Sequence, residues 1–359
     1  MVLAQVGASH EGGNSAYKRK CNSAEPSAAI AACTHVIDDQ HEDAGSRASA
    51  LQNRAFHYES VGDRERAIQD YNAVLKLPGE RGEKAKIYLN LGVMHSQQGD
   101  VTAAAANFDA ALKLDPKLVS AYLNRASLYM KSGDSQRALA DLDRALTLSP
   151  EDADAYLSRG TVYTHLGDRE RALADFSRSI QINPANRLAW RDRGLAYRLN
   201  GDYARAMADA SEAIRLNPGM ADAHLDLGLS LVATGRGREG LAEFDRAIGL
   251  DATDALALKA RGDEYLAEGD AGRAIADFTQ AIAIAPQLTD AYMNRGVAYL
   301  HGSDWKRATA DFSQAIALAP DQFAAYLNRG EALRADGYPE RALTDFDQAI
   351  RLRPDAAVA

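Results

Sequence analysis

The chain has 359 residues, 50 acidic against 41 basic side chains (formal charge -9), and 46% apolar residues, ample for buried cores. With 25% of residues charged, its composition is globular rather than disordered. The acidic balance argues against a dedicated nucleic-acid binder, 7% aromatics argue against a stacking platform for single strands, and charges interrupt every apolar run before membrane-spanning length.

Met1 to Lys20 contains no apolar core of signal-peptide length and ends in Lys18-Arg19-Lys20, so it is not an intact secretory signal. The compartment stays open: periplasmic or exported if a signal has been removed, cytoplasmic otherwise. Residues 1–13 are expected to be disordered and 14–47 to form a degenerate helical cap. The two cysteines of the chain, Cys21 and Cys33, fall in that cap with Pro26 between them, on neighbouring helices of a hairpin. They either form a disulfide, which requires an oxidising compartment, or pack as two small buried hydrophobes.

From residue 48 onward an internal repeat organises the chain. Arg-Gly recurs at 159, 193, 261, 295 and 329, steps of 34 residues or a multiple, and Gly92, Ala126 and Gly228 fall on the same lattice. Pro116, Pro150, Pro184, Pro218, Pro286, Pro320 and Pro354 keep the period, with Ala252 in the single gap. Nine repeats follow: 48–84, 85–118, 119–152, 153–186, 187–220, 221–254, 255–288, 289–322 and 323–356. The first holds three extra residues near Pro78-Gly79-Glu80.

Each unit predicts two short helices. In the fourth, Tyr156, Gly160 and Tyr163 recur at helical spacing, then Ala172, Phe176 and Ile180 recur likewise after a turn at Gly167-Asp168. Gly stops the first helix in the left-handed conformation and Asp caps the second. The same pair stands at 62, 99, 133, 201 and 269. Small residues such as Gly160 and Ala172 sit where the two helices approach closely.

This unit resembles the tetratricopeptide repeat: bulky residue, small residue, Tyr, turn Gly, Ala, aromatic, Ala, Pro over 34 residues, covering nearly the whole chain. The resemblance implies an all-α, right-handed superhelical solenoid of antiparallel helix pairs. Its concave groove would be lined by the first helix of each pair, and its activity would be binding peptides or protein segments. The Asn-Arg-Gly and Asp-Phe wording resembles a common bacterial branch, and the N-terminal cysteine pair resembles exported bacterial members. The sixth repeat departs from the pattern, with Gly240 at a helix-packing Ala position and no closing proline.

One column breaks the apolar stripe. Arg54 travels with Arg66 and Asp70, Arg125 with Arg137 and Asp141, Arg159 with Arg171 and Asp175, and Arg193 with Arg205 and Asp209. Arg261 travels with Arg273 and Asp277, Arg295 with Arg307 and Asp311, and Arg329 with Arg341 and Asp345. The two repeats with Leu instead, Leu91 and Leu227, carry Ala103 and Asn107, or Glu239 and Glu243. This predicts a structural salt bridge from the first-helix Arg to the second-helix Asp of the same repeat, with the second Arg one turn before that Asp in a polar triad. Arg suits the site because its planar fork binds a carboxylate through two hydrogen bonds.

Two residues before the small residue, Asn53, Asn90, Asn124, Asn294 and Asn328 form a second column. In the family an Asn at this site lines the groove and holds an extended peptide, and a carboxamide offers the donor and acceptor that a peptide group needs. Repeats four to seven place Ser158, Asp192, Asp226 and Ala260 there, with Arg191, Arg198 and Lys259 nearby, a mixed-charge middle suited to a charged partner or simply solvated. A cationic clamp for a C-terminal carboxylate is not assembled. Lys259 and Asn294 fit it, but Asp263, Ala324 and Asn328 occupy the other sites.

Enzyme readings fare worse. Gly235-Arg-Gly-Arg-Glu-Gly240 spells a dinucleotide fingerprint but follows a helix, not a strand. The histidines show no metal-ligand spacing, and His57 and His95 fall on the buried stripe or its edge. No catalytic residue, cofactor or metal is expected. The sequence reads as a non-catalytic scaffold binding a protein or peptide in its groove, with neither nucleic acid nor membrane insertion. The alternative is a homo-oligomer assembled through Leu343, Phe346 and Ile350, because no further helix follows the last repeat before Ala359.

Overall fold

The computed structural model describes residues 15–23 and 25–354, so the expected disorder of 1–13 lies outside the described residues. Every regular element among them is a helix. The chain divides into two compact units at Ile182 and Asn183.

In the first unit, helical residues 15–21 (α1) and α2 (Pro26–Asp38) make the N-terminal hairpin. Four helix pairs follow: α3 (Ala44–Ser60) with α4 (Arg64–Lys76), α5 (Arg81–Gln97) with α6 (Val101–Leu114), α7 (Val119–Lys131) with α8 (Ser135–Leu148), and α9 (Ala153–His165) with α10 (Arg169–Ile182). The second unit has five pairs: α11 (Arg187–Leu199) with α12 (Tyr203–Leu216), α13 (Ala221–Ala233) with α14 (Gly237–Leu250), α15 (Ala255–Ala267) with α16 (Ala271–Ile284), α17 (Thr289–His301) with α18 (Trp305–Leu318), and α19 (Phe323–Ala335) with α20 (Pro339–Leu352). Within each unit the helices pack in chain order as antiparallel pairs, an all-α solenoid architecture.

Two boundaries differ from the lattice. α3 starts at Ala44, because Asp43 caps it by accepting the Ser46 amide at 2.8 Å. The extra residues after α4 are spent partly on helix: α5 begins at Arg81, one turn ahead of the lattice position at 85, and is 17 residues long where most first helices have 13.

The turns follow from their chemistry. Gly133, Gly167 and Gly201 take φ of +79°, +76° and +77°, and the following Asp accepts the amide three residues on, as Asp168 does from Arg171 at 3.1 Å. In the eighth repeat Gly302 stays right-handed and Ser303 takes φ of +58°. A side chain there carries the steric cost that glycine avoids. Ser303→Gly is expected to raise stability by about 0.5–1 kcal/mol, read as a higher urea midpoint at unchanged slope.

The small-residue column is set by the residue it faces. A Cβ on Gly160 would stand 2.6 Å from the Phe176 ring, and Gly92, Gly228, Gly262, Gly296 and Gly330 meet Phe108, Phe244, Phe278, Phe312 and Phe346 in the same way. Where Leu142 replaces Phe, Ala126 is accommodated, and both are fully buried. Gly240 is required by Val232, whose Cγ2 would lie 2.6 Å from an added Cβ. Gly160→Ala is therefore expected to cost about 1–3 kcal/mol by overpacking. Adding Phe176→Leu, which copies the pairing at 126 and 142, should recover at least half of that loss in thermal unfolding.

Candidate functional site

The arginine column is bound as a fork in every repeat that has it. Arg159 Nε and Nη2 donate to the two carboxylate oxygens of Asp175 at 2.7 and 2.8 Å. The same two-bond geometry joins Arg54 to Asp70, Arg125 to Asp141, Arg193 to Asp209, Arg261 to Asp277, Arg295 to Asp311 and Arg329 to Asp345. The aspartate side chains are buried at 6–8% exposure, while the arginines keep about a fifth of theirs in solvent. Hydrogen bonding to Asp175, with a further bond to Asp143, holds the Arg159 guanidinium well above its ordinary pKa. It is a permanent cation.

Six of these guanidiniums do more than close their own repeat. The third nitrogen, Nη1, reaches back to the preceding second helix: Arg159 to Asp143 at 2.7 Å, Arg261 to Asp245 at 2.6 Å, Arg295 to Thr279 at 3.0 Å and Arg329 to Ser313 at 3.1 Å. Arg125 binds Asp109 likewise, and Arg54 reaches Thr34 of the cap at 2.8 Å. The column thus cements repeats together as well as closing each one. A comparison of Arg125, Arg159, Arg261, Arg295 and Arg329 with the residue sixteen places back would have found this, since an oxygen-bearing side chain stands there each time.

The second arginine does not join the fork. Arg171 instead pairs with the helix-capping Asp168 and lies over the Tyr163 ring at 4.5 Å. Arg137, Arg205, Arg273 and Arg307 repeat this against Tyr129, Tyr197, Tyr265 and Tyr299. The cap carboxylate is nearer along the chain and the tyrosine face is open, so the polar triad resolves into two separate pairs. The side-chain bond from Arg171 holds the Asp168 carboxyl below its usual range.

The asparagine column lies on the face where successive first helices meet. α5 touches α7 and α7 touches α9 in the first unit; α11, α13, α15, α17 and α19 touch in sequence in the second. Among the described residues no two successive second helices do so. Within each unit the first helices therefore line the inner side. The column is half-buried there, and several carboxamides already donate within the chain. Asn53 donates to Asn22, Asn90 to the Tyr71 hydroxyl at 3.3 Å, Asn124 to the Ser120 carbonyl at 2.7 Å and Asn294 to Asp263 at 2.6 Å. Asn90, Asn124 and Asn294 keep a carbonyl oxygen and a second N–H to offer, whereas Asn53 spends its second N–H on Cys21 Sγ at 3.9 Å.

The charged middle of the second unit is engaged with itself. Arg191 binds Asp222 at 2.9 Å and its neighbour Asp192 at 2.6 Å, Arg198 binds Asp226 at 2.9 Å, and Lys259 binds Asp263 at 2.8 Å. Burial pushes the Asp226 carboxyl above its ordinary pKa even though Arg198 opposes the shift. Cys21 and Cys33 are joined as a disulfide, and the buried His57 places Nε2 3.3 Å from the Cys21 carbonyl oxygen. Among the described residues no three His, Cys, Asp or Glu side chains are grouped to hold a metal, and no helix is long and apolar enough to cross a membrane.

Sequence profiles of the tetratricopeptide repeat match residues 91–161 and 126–189 in one version. A second version matches 55–118, 166–221, 191–256, 225–289, 259–310 and 295–357, well over half of the chain. The chain belongs to the tetratricopeptide repeat family. Members of this family are generally non-catalytic scaffolds for protein interactions. Among solved structures, a tetratricopeptide repeat protein from Parabacteroides merdae is similar over 70% of this chain and all of that one, at 23% identity and a TM-score of 0.56. The Cut9–Hcn1 assembly of the APC/C contains a chain similar over 92% of this one and 78% of its own, at 16% identity and 0.57. PilW, a type IV pilus biogenesis factor, matches 56% of this chain and 94% of its own, at 22% identity and 0.52. At these identities the likeness is one of fold. A search of curated proteins returned no match.

Removing one partner of the fork leaves a buried charge without its counterion. Asp175→Ala is expected to cost about 2–4 kcal/mol in denaturant unfolding, somewhat under the range for fully buried pairs because Arg159 is partly solvated. Replacing both at once by Arg159→Leu and Asp175→Asn, the pairing found at 91 and 107, should cost less than Asp175→Ala alone.

Proposed function

We propose that this tetratricopeptide repeat protein is a non-catalytic interaction scaffold that binds an extended or helical segment of another protein along the inner side of its first helices. The observation that carries the reading is the placement of Asn90 and Asn124 in the first unit, and Asn294 and Asn328 in the second, half-buried on the face where first helices meet. Carboxamides in that setting match a peptide backbone without reading its side chains. The neighbouring charges Arg191, Arg198, Asp192, Asp226 and Lys259 are neutralised by one another or by adjacent acids, so they shape the surface more than they attract a charged ligand. The Asn-Arg-Gly wording and the disulfide-bonded cap fit a bacterial, exported member of the family.

A second reading has one observation in its favour. On α20, Leu343 and Ile350 are 62% and 47% exposed, an apolar surface suited to association with another copy.

Affinity capture with the full chain beside an Asn124→Ala/Asn294→Ala variant, matched for helicity by circular dichroism, separates the two. A partner retained by the first and lost by the second supports inner-face binding. Recovery by both baits of copies of the protein alone, with a dimer in light scattering that Leu343→Lys disperses, would favour self-association.

A further inference from the structure

The sixth repeat keeps the receptors of the arginine column without the arginine. The column residue is Leu227. In the sibling repeats the guanidinium is held by the acid sixteen residues ahead and the oxygen sixteen residues behind; here those positions are Glu243 and Ser211. Both line an open cavity of about 300 Å³ between α12 and α14, floored by Leu227 and Leu231 of α13.

Ser211 is poised as its counterparts are. Thr279 and Ser313 each donate to the carbonyl four residues back, at 2.7 Å, and accept from Arg295 and Arg329 with the remaining lone pairs. Ser211 makes the same donation to the Met207 carbonyl at 2.7 Å, leaving its acceptor side to the cavity. Glu243 is fixed rather than free-swinging: one oxygen faces His224 Nδ1 at 2.7 Å and the other binds Arg246. Each carboxylate oxygen retains a further lone pair.

The second repeat shows what an abandoned site looks like. There Leu91 is buried in an apolar cluster with Tyr71, Val74 and Leu75, and Asn107 replaces the acid. In the sixth repeat the apolar replacement was not completed. The neighbouring pair is even rebuilt around the opening. Arg236 stands at the capping position and Glu239 at the second-arginine position, the sibling charges exchanged, bound to each other at 2.7 Å on the cavity rim.

We propose that this cavity is an arginine socket: it takes an arginine side chain presented by a partner protein, seated between Glu243 and Ser211 as the chain's own arginines are seated elsewhere. It opens beside the second helices and uses none of the asparagine column, so it stands independently of inner-face binding.

The probe is the blocked peptide acetyl-Gly-Arg-Gly-amide, titrated into the full chain and followed by calorimetry and by amide shifts near Ser211. Saturable binding with a Kd on the order of 1 mM is expected, and at least about tenfold weaker binding of the citrulline peptide, which keeps the shape but loses the charge. Leu227→Arg fills the socket from within and should abolish binding. Leu256→Arg, which adds the same charge at an exposed site on α15, should not. Equal binding to both variants, or no saturation by the arginine peptide at about 20 mM, overturns the proposal. If Leu227→Arg fails to fold, Ser211→Ala decides: about a threefold or greater weakening supports the socket, and an unchanged Kd sinks it. The Asn124→Ala/Asn294→Ala variant should bind the peptide as well as the parent chain does.

Discussion

The five-donor guanidinium organises this molecule. Apolar stripes bring two helices of a repeat together, but the stripe alone is non-directional and tolerates sliding. The fork between the first-helix Arg and the second-helix Asp fixes their relative rotation, because two parallel hydrogen bonds to one carboxylate leave little angular freedom. The remaining nitrogen then sets the spacing to the repeat before. One residue type so defines both the unit and its stacking.

The sequence carried much of this openly. The period, the turn at Gly-Asp and the Arg–Asp correspondence were all visible because each depends on residue types with few substitutes. Less was visible wherever two physical needs competed at one position. The second arginine sits near both an aspartate of its own helix and a helix-capping aspartate, and only geometry shows that the cap and the tyrosine ring take it. Ser303 occupies the turn-glycine position in step with the lattice, while the adjacent Gly302, one place early, stays right-handed and gives no relief. The extra residues at 78–80 are largely compensated by an added helical turn at Arg81, since a helix can lengthen at its start without disturbing the packed face.

The pairing of glycine with phenylalanine is a milder case. Both columns were legible separately, but the dependence of one on the other comes from a ring edge lying against the facing helix backbone. Ala126 with Leu142 shows the rule by departing from it, and the first and fifth repeats depart too, with Ala55 opposite Tyr71 and Gly194 opposite Ala210. The inner-face asparagines remain the least legible feature. A solvated asparagine and a peptide-binding one have the same sequence, and only their half-buried position distinguishes them from ordinary surface residues.

Because most repeats are cemented by a backward-reaching arginine, the joints that lack it differ mechanically from the rest. Between the fifth and sixth repeats the outer guanidinium–oxygen link is replaced by a weak contact from Arg236 Nη1 to Met207 Sδ at 3.8 Å, while the inner side is tied by Arg198 to Asp226 and by Arg191 to Asp222. A joint held by ion pairs along one edge and by a weak sulfur contact along the other is expected to bend about the ion-paired edge. Bending there is expected to change the gap between α12 and α14 more than the distance between α11 and α13. The second unit thus has a built-in direction of compliance, with its moving edge at the cavity and its stiff edge on the asparagine-bearing face.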